Sequence, residues 1–259
     1  MPLEVYFQVI IDDYSHFTKI FVLKHKSEAT QNVKEYVAKI EAEFGQRVSR
    51  LRMDNGGEFL NKEMKRFCAE KGIQIEATVP YTSQQNGVSE RMNRTLMDKA
   101  RAMLDDSDLP KSLWTEAVSA AAYLLNRSPT NALNGDVPAR RWYGRSDLSR
   151  VRVFGCLAYP LILPRRGKLE NRAQVGRLVG YLHNGYKIWI PSERKIIVTR
   201  DVRFDERRNI YNVEKGRGET ITNETTKEEK RKFKRNVFEI IEDEEQEIEE
   251  LQPENDEIK

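Results

Sequence analysis

The chain has 259 residues, 39% of them apolar and 33% charged, which is enough for one large domain or two small ones around a core. No run of about 18 apolar residues is present, so no membrane span is expected, and the N-terminus lacks a basic-then-apolar signal pattern. The two cysteines, Cys68 and Cys156, are too few for a disulfide framework and lack metal-ligand spacing, so a reducing compartment is expected.

The net charge of +3 is unevenly placed. Residues 239–259 hold eleven acids and one lysine, which leaves 43 basic and 30 acidic residues, a net of +13, over residues 1–238. Such a body fits a polyanionic partner or a merely solubilising surface.

Residues 4–24 read as a hairpin. Val5, Phe7, Val9 and Ile11 alternate, and Lys19 to Leu23 follows the polar turn Asp12 to Ser15. Ser27 is expected to cap a helix carrying Ala29, Val33, Tyr36, Val37, Ile40 and Phe44, ended by Gly45. Val48 to Met53 returns to strand, Asp54-Asn-Gly-Gly57 is a sharp turn, and a short helix with Met64, Phe67 and Cys68 stops at Gly72. Ile73, Ile75, Ala77 and Val79 alternate as the next strand. A loop with Pro80, Ser83 and Asn86 leads to a long helix ending near Asp105, and Pro110 opens another through Trp114, Val118, Ala121 and Leu125. The order β-β-α-β-α-β-α-α over residues 1–127 predicts an α/β sheet with covering helices.

From about Val151 the pattern changes to short strands and glycine turns. Leu178 to Tyr181, Tyr186 to Ile190 and Lys195 to Thr199 read as strands of a small β-barrel. Beyond about Asn209 lysine and glutamate dominate and a disordered tail is expected.

Two acids carry the candidate chemistry. Asp54 ends a strand before a glycine turn, and Glu90 sits near the start of the long helix. On that helix Val88, Met92, Leu96, Ala100, Met103 and Leu104 form an apolar face, while Glu90 shares another face with Arg94 and Arg101. A carboxylate flanked by arginines suits a divalent metal beside a phosphate backbone. It equally suits an ordinary surface ion pair between Glu90 and Arg94. Asn86 can cap this helix, and Gln84 and Gln85 could touch phosphate or simply meet water.

The segments Leu51-Arg-Met-Asp-Asn-Gly-Gly-Glu-Phe59 and Pro80-Tyr-Thr-Ser-Gln-Gln-Asn-Gly-Val-Ser-Glu-Arg-Met-Asn-Arg-Thr95 closely resemble the integrase core of copia-type retrotransposons. The resemblance continues through Ile11 to Ser15, Ala117 to Pro129, Val151 to Cys156, Val179 to Tyr181, Asn184 to Trp189 and Arg200 to Glu206. It implies a ribonuclease-H-like core over residues 1–145, an SH3-like domain over 150–208 and a charged tail over 209–259. It carries Asp54 and Glu90 over as the second and third acids of a triad that holds Mg2+ or Mn2+ for DNA strand transfer. It implies Asn86, Gln85, Arg94, Arg101, Arg165, Arg166 and Lys168 as DNA contacts. DNA ends and target DNA are then the partners, a homo-oligomer is expected, and no membrane is.

The family's first acid lies in an Asp-X-X-Gly-Pro-like segment on the strand preceding residues 5–12, so the chain is expected to be truncated there and to lack that strand from its sheet. Asp12 and Asp13 match the turn after the next strand and are read as turn formers, not triad members. Ser83 stands where the family has proline, and the His/Cys zinc module is absent: His16, His25 and His183 lack ligand spacing. Among the basic residues near Tyr181, Tyr186 and Trp189, Arg165, Arg166 and Lys168 fit DNA, whereas the aromatics read as core. The run Lys227 to Arg235 could be a nuclear-entry signal, and nucleus and cytoplasm are the expected locations. The readings that follow are an integrase-derived DNA-joining enzyme, a catalytically inactive DNA-binding or dimerising module, and a fragment without function.

Overall fold

The computed structural model describes residues 5–53, 61–77, 83–161 and 173–206, with 77 and 83–88 described by backbone alone. The elements in chain order are β1 (Tyr6–Ile11), β2 (Thr18–Leu23), α1 (Ala29–Phe44), β3 (Arg50–Met53), α2 (Lys62–Lys71), β4 (Gln74–Ala77), α3 (Ser83–Ser107), α4 (Trp114–Leu125), α5 (Pro138–Tyr143), β5 (Leu157–Pro160), β6 (Gly176–Leu182), β7 (Gly185–Ile190), β8 (Lys195–Thr199) and β9 (Val202–Asp205). The chain is mixed α/β, as its alternation predicts.

β1 and β2 form an antiparallel hairpin, with Tyr6 opposite Leu23 and Ile11 opposite Thr18. Its turn is built by Asp12, whose Oδ2 accepts from the Ser15 N–H at 2.7 Å and the Ser15 hydroxyl at 2.6 Å. The period-2 pattern of β1 serves two helical layers. Phe7 and Val9 pack with Leu96, Ala100 and Val118 of α3 and α4, whereas Ile10 joins Val33, Val37, Met64 and Cys68 of α1 and α2. β3 and β4 pair in parallel and lay Leu51, Met53 and Ile75 on that second cluster. Among the described residues the two strand pairs are separate two-stranded sheets.

β5 to β9 form a five-stranded antiparallel sheet in the order β8-β7-β6-β5-β9. Alternation on β6 again splits the faces: Leu178 joins Ile188 and Ile190 in the sheet's own core, and Val179 packs into the α3–α4 cluster. The junction with the helices is polar as well as apolar. The buried Arg177 donates from Nε to the Gly155 carbonyl and from Nη2 to the Ser107 carbonyl, the latter at 2.7 Å. Lys187 pairs with Glu116 of α4 at 2.7 Å, and Tyr181 stacks on Tyr123 with ring centroids 4.4 Å apart. Gly155 has φ +77°, and a Cβ there would lie 2.2 Å from the Ser107 Cβ, so no side chain fits.

Several boundaries differ from the sequence reading. Ser27 lies inside a 3-10 turn, Lys26–Glu28, and α1 begins at Ala29 without a side-chain cap. Glu28 instead accepts from the Lys24 N–H at 3.0 Å. β3 begins at Arg50, two residues later than expected, because Val48 gives its N–H to the Glu41 carboxylate. α3 starts at Ser83, so Gln85 and Asn86 are helical, not loop or capping residues. Gly87 costs about 1 kcal/mol in a helix, which packing of a 25-residue amphipathic helix outweighs. α5, β5 and β9 had no clear signal of their own. The helix stops at Gly45 and Gly72 are left-handed, as read. The turn Asp54–Gly57 and the tail 209–259 lie outside the described residues.

Candidate functional site

A groove of about 950 Å3 opens between the β1–β2 hairpin and the β3–β4 pair. Of the candidate site residues it meets Glu90. Met53, the residue immediately before Asp54, lines it from the end of β3, and Glu90 lines it from α3. Glu90 is exposed and clear of the helix's apolar stripe, where Leu96, Ala100 and Leu104 are buried. The stripe fixes the helix rotation, and the rotation delivers Glu90 to the groove.

Asp54, Arg165, Arg166 and Lys168 lie outside the described residues. Asn86 and Gln85 fall in the first turn of α3, and nothing beyond their backbone is described. Arg94 and Arg101 are exposed on α3. No ion pair joins Glu90 to Arg94 among the described residues. Arg101 pairs with Asp98 at 3.0 Å on an exposed flank, a weak and exchangeable contact.

Asp12 and Asp13 also line the groove, but both are engaged. Asp12 holds the turn, and Asp13 reaches Arg52 at 3.3 Å. Arg52 in turn bonds Glu76 of β4 at 3.2 Å, so Asp13, Arg52 and Glu76 form a chain of charge from the hairpin turn to the second strand pair. Among the described residues, no three His, Cys, Asp or Glu side chains converge as a metal-holding group. Ser89 and Asn93 also face the groove, one before and three after Glu90; helical spacing places Asn93 beside it. Arg177, one of the basic residues near the aromatics, is a buried clamp and not a free cation. Tyr186 is buried and Tyr181 and Trp189 pack in the cores, as their apolar context suggested.

Two family models match the chain: the integrase core domain over residues 3–83, and the retroviral polymerase SH3-like domain over residues 156–217. The retrovirus-related Pol polyprotein from transposon TNT 1-94 of Nicotiana tabacum is 42% identical over 205 residues, covering 78% of this chain and 15% of that protein. The Pol polyprotein from transposon RE2 of Arabidopsis thaliana is 32% identical over 207 residues, covering 78% and 14%. The chain thus spans about a seventh of the relatives it matches. Among solved structures, it is similar to a chain of the simian T-cell lymphotropic virus intasome in complex with PP2A regulatory subunit B56 gamma, with 18% identity and TM-score 0.44 over 76% of this chain and 71% of that one. It is also similar to the BIV integrase catalytic core domain, with 23% identity and TM-score 0.41 over 53% and 85%, and to the HTLV-2 integrase catalytic core in complex with magnesium, with 20% and 0.39 over 52% and 82%. The chain thus carries an integrase core domain followed by a retroviral SH3-like domain, and is related to the corresponding stretch of the Pol polyproteins of copia-type retrotransposons.

Proposed function

We propose that this integrase-derived chain binds DNA along the face of α3 and that its groove is the DNA-joining site of the family. The observation that carries this reading is the convergence of Met53, directly before Asp54, and Glu90 on one groove. Carboxylate oxygens suit hard divalent cations, so Asp54 and Glu90 would hold Mg2+ or Mn2+ there. A bound ion would supply stabilisation of charge on the phosphate oxygens. The chain's own part is positioning: α3 sets Glu90 at the groove wall, and Arg94 and Arg101 meet the phosphate backbone beside it. Asn86 and Gln85, at the helix start, would approach the DNA end, and Arg165, Arg166 and Lys168 would extend the basic track. We divide the chain at residues 145–150 into catalytic and SH3-like parts, with residues 209–259 as a charged tail. Self-association on paired DNA ends and a location in nucleus and cytoplasm belong to the same reading.

The test is strand transfer of a labelled duplex end with Mn2+ or Mg2+, beside Asp54→Asn and Glu90→Gln. Joining that both variants abolish supports the enzyme reading. Salt-sensitive DNA binding without joining supports a catalytically inactive binding module. Neither activity in folded protein leaves the fragment reading.

A further inference from the structure

Four aromatic rings run in one row from the end of α4 to β9. Tyr123 stacks on Tyr181 with centroids 4.4 Å apart, Tyr181 meets Tyr186 edge-on at 6.5 Å, and Tyr186 meets Phe204 edge-on at 4.8 Å. An arginine lies over three of the rings: Arg127 over Tyr123 at 3.5 Å, Arg150 over Tyr186 at 5.7 Å and Arg152 over Phe204 at 5.9 Å. All three arginines are half-buried. Backbone carbonyls fix them further. Arg127 donates from Nη1 to the Tyr123 carbonyl at 3.2 Å, Arg150 to the His183 carbonyl, and Arg152 to the Ser149 and Val151 carbonyls at 2.9 and 2.7 Å. None of these residues lines the groove.

A ring and a carbonyl hold a guanidinium in place without neutralising its charge. Acids do little more here. Glu206 reaches Arg152 at 3.5 Å. Asp147 is held below its usual value first by hydrogen bonds from Ser149 and then by Arg127 and Arg150, yet it accepts from the Ser149 N–H at 2.8 Å. Among the described residues neither Arg127 nor Arg150 has a carboxylate within ion-pair distance, and the Nε of Arg127 has no acceptor at all. The rings themselves are not free for bases. Tyr123 carries Arg127 on one face and Tyr181 on the other. What the row offers is fixed positive charge with unused donors.

We propose that this row of arginines is a second DNA-contact face, which takes the phosphate backbone of duplex DNA without reading its sequence. Resting on the reading that the chain binds DNA, it adds a face separate from α3. Phosphate oxygens accept from guanidinium forks, and arginines already held by rings and carbonyls lose little side-chain freedom on binding. A row, as opposed to a pocket, suits a repeating polyanion, and the net +13 over residues 1–238 favours one.

The test uses the full chain and two labelled duplexes of unrelated sequence, with affinity read by anisotropy across a salt series. Arg127→Gln/Arg150→Gln is set beside Arg127→Lys/Arg150→Lys and Arg94→Gln/Arg101→Gln, each checked for folding by its thermal transition. The glutamine pair at 127 and 150 should lower the slope of log affinity against log salt by about two, equally for both duplexes, and the lysine pair should restore it. An unchanged slope in the glutamine pair overturns the proposal even if affinity falls, because the arginines then serve only packing. A loss confined to one duplex, or binding of polyglutamate without binding of duplex, overturns it too. If the glutamine pair does not fold, Arg150→Gln alone decides, with a slope lower by about one expected and an unchanged slope fatal. A weakened pair at 127 and 150 beside an unaffected pair at 94 and 101 removes the α3 reading and leaves this one, and the converse pattern does the opposite.

Discussion

Asn126 makes the backbone pairing that a neighbouring strand would otherwise make. Its Nδ2 donates to the Thr18 carbonyl at 2.7 Å and its Oδ1 accepts from the Thr18 N–H at 2.8 Å, in a buried setting. Asn126→Ala strands two buried backbone groups and should cost about 2–3 kcal/mol in urea unfolding. Asn126→Asp, which keeps the acceptor and places a carboxylate beside Thr18 O, should cost no less. Burial also sets a pH dependence. It pushes the Cys156 thiol up from 9.0 to about 12, with the Glu206 carboxylate adding to the effect, and raises Cys68 as well. Near pH 9 the unfolded chain loses these protons while the folded chain keeps them. The stabilisation is complete below pH 9 and is lost as pH rises toward 12. Urea midpoints should therefore fall across that window, and Cys156→Ala should flatten the fall; an unchanged slope would assign it to other groups. Asp54 and Glu90 were proposed from the sequence because each sits in a distinctive local phrase, and Glu90 lines the groove. Asn126 and Arg177 were not, because their partners, Thr18 and Ser107, lie 108 and 70 residues away.

At the level of elements, the hairpin, α1, α2, α4 and three strands of the second sheet were legible from periodicity, since each buries one face against something. The start of α3 was misread because glycine and asparagine at 86–87 look like a loop locally, while the apolar stripe that carries the helix lies further along. β5 and β9 are four residues each and pair with one another across the sheet, so their stability comes from register and not from local propensity. Gly155 belongs to this scale because it lets β5 approach the end of α3. Gly155→Ala adds a 2.2 Å clash with Ser107 to a left-handed backbone and should cost about 3 kcal/mol or more by thermal or urea unfolding. Arg177→Ala removes the two donors at the same junction and should cost about 2–4 kcal/mol. The double variant should lose less than the sum, since both single changes break one contact region.

Across the molecule, the helical layers and the five-stranded sheet share one apolar cluster and belong to one compact unit. They should unfold in a single calorimetric transition, and Arg177→Ala should be the change that splits or broadens it. The charge distribution makes a separate prediction. Removing residues 239–259 leaves a net charge of +13, so the shortened chain should bind duplex DNA more tightly than the full chain at low salt, with the difference shrinking as salt rises. Equal affinities across the salt range would detach the basic body from nucleic acid.

One helix joins the two ends of this organisation. Glu90 stands near the start of α3 and Ser107 closes it, with its carbonyl held by Arg177. The seventeen intervening steps of rise make a rod of about 25 Å. A rod gripped at one end has an angular phase as well as a length. Inserting a single alanine between the two would turn Glu90 by about 100° about the helix axis, out of the groove, without altering either neighbourhood's sequence. Inserting seven residues would bring it back to within about 20°, though displaced along the axis. The second sheet therefore acts as the key that times where the carboxylate points, and the spacing from 90 to 107 is a quantity on which the proposed site depends.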